Sequence, residues 1–132
     1  MKRAVAIAAM LAAATWPGVD PGGAAATTPK GPAHLLVYAQ EWSLWPSTTK
    51  LPAGTIDVEL WNRGEDAHDL RIRRLNSAGQ MAGPIDGAVR VTPSGEISHA
   101  VWHLKPGHYE VYCSLPGHLA MGMHTTITIR RP

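Results

Sequence analysis

One cysteine, Cys113, is all the sequence holds, so no disulfide can form within the chain. A small exported domain usually carries its cysteines in pairs, and an unpaired thiol outside the cell is open to oxidation. Cys113 is therefore either buried and inert or occupied by something. Long apolar runs are missing too: Ala4 to Ala14 falls short of the roughly 20 residues that a membrane-spanning helix needs. No basic block points to nucleic acid, and the formal charge is only +2. The densest cluster, Arg71, Arg73 and Arg74, reads as a solvated strand face. After residue 30 no segment keeps a helical period, which argues against a helical domain. Internal repeats are absent, and so is any low-complexity tract past the Ala/Gly/Thr/Pro-rich stretch that ends near Pro32.

What is present begins with a leader. Met1-Lys2-Arg3 is a short positive segment, Ala4 to Ala14 is apolar, and a Pro/Gly-rich stretch leads to Ala24-Ala25-Ala26. That order is the layout of a secretory signal peptide. It predicts a signal peptide over residues 1–26, a flexible segment over 27–32 and one domain over 33–132. Roughly 106 residues remain after cleavage, the common size of a single domain. The expected location is periplasmic or extracellular, with no membrane span in the mature chain. With no cysteine beside the cleavage region, a lipobox-type lipid anchor is not expected either.

The domain reads as strands. Ala33 to Gln40 is rich in β-formers. Thr55 to Asn62 alternates, with Ile56, Val58 and Leu60 on one face and Asp57 and Glu59 on the other, the period-2 mark of a strand with one wet side. His68 to Arg74 places His68, Leu70 and Ile72 inward. Ser98 to Leu104 does the same with Ala100, Trp102 and Leu104, and Tyr109 to Cys113 with Tyr109, Val111 and Cys113. Thr125 to Arg130 closes the chain with Ile127 and Ile129 inward. Turns such as Leu51-Pro-Ala-Gly54, Arg63-Gly-Glu-Asp66, Thr92-Pro-Ser-Gly95 and Lys105-Pro-Gly107 separate them. Residues 75–88 are the least regular and read as a long connection. The pattern predicts an all-β Greek-key sandwich of about seven to eight strands.

The chemistry is concentrated near the end. Cys113-Ser-Leu-Pro-Gly-His118-Leu-Ala-Met121-Gly-Met123 packs a thiol, an imidazole and two thioethers into one loop. Thiolate with thioether is a soft donor set that suits copper, and two His, one Cys and a weak axial Met make a blue-copper site. Pro116-Gly117 supplies the turn that lets Cys113 and His118 converge. The second imidazole must come from elsewhere, and His68 is the best placed, since it opens an inward-facing strand after a polar turn. Alone, a buried Cys or a strand-initial His would be packing or surface; together with His118 and the methionines they read as ligands. His34, His99, His103 and His108 gain no such support and read as solvent-facing or hydrogen-bonded. Met81 reads as a gap filler.

Leu104 to His118, followed by Gly122-Met123, resembles the C-terminal ligand loop of the cupredoxins. Asn62-Arg-Gly-Glu-Asp-Ala-His68 resembles that family's earlier segment, where an Asn and a Gly precede the first copper His, and Pro52-Ala-Gly54 also fits. The resemblance runs over about residues 33 to 130. It implies a plastocyanin- or azurin-like type 1 copper site in which His68, Cys113 and His118 are equatorial ligands and Met123 is axial. Met121 is a rival thioether; Gly122-Met123 matches the family's common Gly-Met pair. His124-Thr125 stands where many relatives have a Lys-Gly turn.

The resemblance further implies a protein that carries single electrons by Cu(II)/Cu(I) cycling. His118 would be the electron port and Pro116 and Leu119 its apolar surround. Transient redox-partner proteins and a monomeric state are expected. The alternative is copper carriage or sequestration without electron transfer. An enzyme is not expected, because copper oxidases and nitrite reductases of this fold need further domains and copper sites, and this chain has one ligand set.

Overall fold

A computed structural model describes residues 31–132. The expected signal peptide and most of the flexible segment after it lie outside the described residues. Nine strands follow one another: β1 (Ala33–Gln40), β2 (Ser43–Pro46), β3 (Lys50–Pro52), β4 (Gly54–Asn62), β5 (His68–Leu75), β6 (Met81–Thr92), β7 (Ile97–Leu104), β8 (Gly107–Tyr112) and β9 (His124–Arg130). They form a four-stranded sheet in the order β2-β1-β4-β7 and a five-stranded sheet in the order β3-β9-β8-β5-β6. Both sheets are mixed: β1 runs parallel to β4, and β3 parallel to β9, while the other pairs are antiparallel. Among the described residues there is no helix, and so none long and apolar enough to cross a membrane.

Strand alternation dictates which side chains meet between the sheets. Leu35, Val37, Ile56, Val58, Leu60, Trp102 and Leu104 from one sheet pack with Leu70, Ile72, Val89, Tyr109, Val111, Ile127 and Ile129 from the other. Each fully buried aliphatic side chain contributes about 1.5–3 kcal/mol. The inward faces expected for the strands of residues 55–62, 68–74, 109–113 and 125–130 are the buried ones.

Residues 75–88 correct the expectation of a long connection. Most of them belong to β6, a twelve-residue strand at the edge of the larger sheet. Its first six residues are exposed, so no apolar alternation marks them. Gly83, Pro84 and Gly87 interrupt the pattern, and the pairing with β5 shifts register three times. Proline and bulges are what an edge strand accommodates. Gly87 has a specific use: a Cβ there would lie 2.6 Å from Trp102 Cδ1, so only glycine lets β6 close over that indole. The Trp102 Nε1–H donates to the Ala88 carbonyl at 3.3 Å, tying the two sheets at this edge. Two further strands, β2 and β3, have only four and three residues, too few for a period to be read.

The arginine cluster also differs from a simple solvated face. Arg73 pairs with Glu110 (Nε–Oε2 2.7 Å) and lies over the Tyr112 ring. Arg74 donates to the Tyr109 hydroxyl and the Pro106 carbonyl, and Arg71 Nε lies 3.2 Å from Asp69 Oδ2.

Candidate metal centre

The pairing of β5 with β8 builds one end of the sandwich into a site. Arg71 lies opposite Tyr112 in antiparallel register, so the first residues of β5 meet the chain leaving β8. His68 begins β5 and Cys113 follows β8 directly. Both are fully buried. The loop after Cys113 then folds back on itself. Gly117 turns at φ +82°, a conformation that L side chains rarely adopt, and His118 N–H closes the turn onto the Leu115 carbonyl. Cys113 N–H donates to the Met123 carbonyl at 3.0 Å, and Met123 N–H donates to the His118 carbonyl at 3.1 Å.

His68, Cys113 and His118 each bring one ligand atom to a common point, all within 4.8 Å of one another. His118 Nδ1 lies 3.4 Å from Cys113 Sγ and 3.2 Å from His68 Nδ1. No other group of three His, Cys, Asp or Glu residues converges in this way among the described residues. Met123 is fully buried and belongs to the same core cluster as Cys113, whereas Met121 is 56% exposed. Two imidazoles and a thiol, with a thioether bound to them through the backbone, are a soft, mixed N/S donor set that fits copper. His118 is the partly exposed member of the trio.

The surrounding groups fix these side chains. Asp69, buried beside His68, accepts from Ser114 N–H at 2.6 Å and from the Ser114 hydroxyl at 2.5 Å. One carboxylate thus bolts the residue after Cys113 to the residue after His68. Burial pushes the Cys113 thiol above its ordinary range, against the pull of the Asp69 and Leu115 N–H groups that donate to the sulfur; the Asp69 carboxylate adds to the rise. A metal cation bound there would reverse that balance, because a coordinating thiol is deprotonated.

The loop from β4 to β5 is organised by Asn62, which is fully buried. Its amide donates to the Asp66 and Thr92 carbonyls, and its Oδ1 accepts from Gly64 N–H. Against this loop sits the turn between β1 and β2. There Glu41 Oε1 lies 2.8 Å from His68 Nε2, and Trp42 packs edge-on to His118 with ring centroids 5.0 Å apart. Partial burial works to raise the Glu41 carboxyl, yet hydrogen bonds from the N–H groups of Asp66, Glu65 and Glu41 itself, and from His68, hold it down at about 2.

Sequence reasoning missed Glu41, Trp42, Asp69 and Ser114. Asp69 and Ser114 carried a signal, since each directly follows a candidate ligand. Glu41 and Trp42 carried none, because only the fold brings that turn to the site. The histidines read as surface residues are so: His34 and His99 flank Glu59 at 3.3 Å each, His103 contacts Thr55, and His108 contacts Thr128.

Solved structures of similar fold include auracyanin from Roseiflexus castenholzii, 20% identical over 76% of this chain and 99% of that one, with a TM-score of 0.60. Auracyanin A, a "blue" copper protein from Chloroflexus aurantiacus, is 17% identical over 76% of this chain and 100% of its own, also at 0.60. Rusticyanin from Thiobacillus ferrooxidans is 22% identical over 74% and 76%, again at 0.60. At these identities the likeness speaks for the fold. No curated protein sequence matches the chain. The sequence profile of the copper binding proteins of the plastocyanin/azurin family does, over residues 19–130. The chain therefore belongs to that family, the cupredoxins that its ligand loop resembles, and its cofactor is one type 1 copper ion.

Proposed function

We propose that His68, Cys113, His118 and Met123 hold the copper and that the protein carries single electrons between transient partners outside the cytoplasm. The observation that carries this reading is the convergence of His68, Cys113 and His118 in a wall of fixed neighbours, with His118 alone partly exposed. Copper supplies the redox change there, alternating between Cu(II) and Cu(I). The chain's own task is to keep the ligands still, so that little reorganisation accompanies the electron. Asp69, Ser114 and the backbone bonds from Cys113 to Met123 and from Met123 to His118 serve that end. His118 is the expected port, with Pro116 and Leu119 as its apolar surround, and partner binding is weak and brief. The leader pattern supports export to the periplasm or beyond, and the protein is expected to be a monomer and not an enzyme.

Copper carriage is the second reading, and one observation favours it. Met121 leaves a thioether exposed in the ligand loop, where it can meet an incoming or departing ion. One experiment separates the two. Loading the purified mature protein with Cu(II) is expected to produce the intense visible thiolate-to-copper band, and Cys113→Ser to abolish it. A colourless parent sinks both the ligand assignment and the electron-carrier reading. A coloured parent that hands copper on faster than it exchanges electrons with a soluble redox partner is a carrier.

A further inference from the structure

We infer that Glu41 is a positioning residue of the copper centre: it fixes the tautomer of His68 and biases bound copper toward Cu(II). The inference rests on His68 being a ligand, as proposed above. His68 is fully buried and its two ring nitrogens have different surroundings. Nε2 lies 2.8 Å from Glu41 Oε1, and Nδ1 faces His118 Nδ1 at 3.2 Å, inside the cluster that includes the Cys113 sulfur. An ionised carboxylate only accepts, and a neutral imidazole has a single N–H to give. The proton therefore sits on Nε2, and the Nδ1 lone pair is left pointing into the donor cluster.

The carboxylate is itself held. Glu65 N–H donates to Oε2 at 3.1 Å and Asp66 N–H donates to Oε1 at 2.9 Å. Gly64 completes the cradle, since a Cβ at that position would collide with the Glu41 carboxylate. Two backbone donors from the β4–β5 loop and the imidazole that opens β5 thus converge on one side chain of the β1–β2 turn, and that imidazole is the candidate ligand. A negative charge hydrogen-bonded to a metal-bound imidazole makes that imidazole more basic and favours the more highly charged ion. With copper bound, a reduced partner would supply the one electron, and His68 would keep its Nε2–H against Glu41 in both oxidation states, so no proton transfer would be needed.

The test is the Cu(II)/Cu(I) potential of Glu41→Gln, a replacement of equal shape without the charge. Loss of the carboxylate is expected to shift the equilibrium toward Cu(I) by about tenfold, at the low end of outer-shell effects, which is about 59 mV upward for one electron. A Glu41 that only braces the loop would lower the melting temperature of the variant and leave its potential unchanged within twofold; that result overturns the inference while the visible band of the parent stands. A parent with no such band overturns the ligand reading, and the inference with it. Should Glu41→Gln fail to fold, nitrogen NMR of the parent decides: the metal-free chain is expected to show His68 protonated at Nε2. A proton at Nδ1 is the contrary result.

Discussion

Among the described residues, two groups each set a pair of histidines beside a third side chain, Cys113 in one and Glu59 in the other. At the site, His68 and His118 sit with Cys113 at the end of the sandwich. On the outer face of the smaller sheet, His34 and His99 reach opposite oxygens of Glu59, at 3.3 Å each. The first group is buried or partly buried and its donors converge; in the second, the two imidazoles are 53% and 66% exposed and do not. The difference lies in the backbone. Strands β1, β4 and β7 run side by side and carry His34, Glu59 and His99 outward on a wet face. The β1–β2 turn, the β4–β5 loop and the loop after β8 instead wrap His68, Cys113 and His118 from several sides. Here the enclosing loops bring donors from different elements to one point, whereas the exposed sheet face only lines its imidazoles up beside Glu59.

The sharpest way to break that contrast is to remove one imidazole from each group. His68→Ala is expected to weaken Cu(II) binding by about 100-fold or more, since losing a ligand exceeds the 10–100-fold typical of an outer-shell change. His34→Ala and His99→Ala are expected to change it by less than about twofold, because the groups share no residue. Cu(II) titration followed at the visible thiolate band measures both. A loss of colour in His34→Ala would place the outer face in the centre and end the distinction.

Stability should divide the same way. Asp69 and Glu59 are both carboxylates with neighbouring cations or donors, but Asp69 is buried and Glu59 is about a third exposed. Asp69→Ala leaves the Ser114 N–H and hydroxyl without their acceptor and removes the partner of Arg71. That is expected to cost about 3 kcal/mol in denaturant unfolding of the metal-free chain. Glu59→Ala is expected to cost under about 0.5 kcal/mol, since its contacts to His34 and His99 are exposed to water.

The contrast also explains what could be read in the sequence. Alternation placed Ile56, Val58 and Leu60, and His68, Leu70 and Ile72, on inward faces because a half-buried strand must bury every second side chain. The ligand loop was legible because Cys113, His118 and Met123 lie close along the chain. β6 was not, since an exposed edge strand has no apolar period and its glycines look like loop residues. Glu41 was not either. It reaches His68 across 27 residues, through a contact that depends on β1 and β4 lying side by side. Nothing in the composition of the β1–β2 turn reports that pairing.

The smallest effect is expected where the contrast is drawn inside a single loop. Met121 and Met123 are two residues apart, yet one is 56% exposed and the other fully buried. Leucine has nearly the shape of methionine without its sulfur, so the swap removes a donor and little volume. Met123→Leu is expected to cost about 1 kcal/mol of stability, within the range of volume-conserving core changes. It should also move the visible band and raise the potential, because the axial ligand tunes the site. Met121→Leu should leave stability, band and potential where they were. If Met121→Leu moves the band and Met123→Leu does not, the axial assignment passes to Met121. The ligand loop would then have to close further over copper than its backbone bonds from Cys113 to Met123 and from Met123 to His118 now hold it.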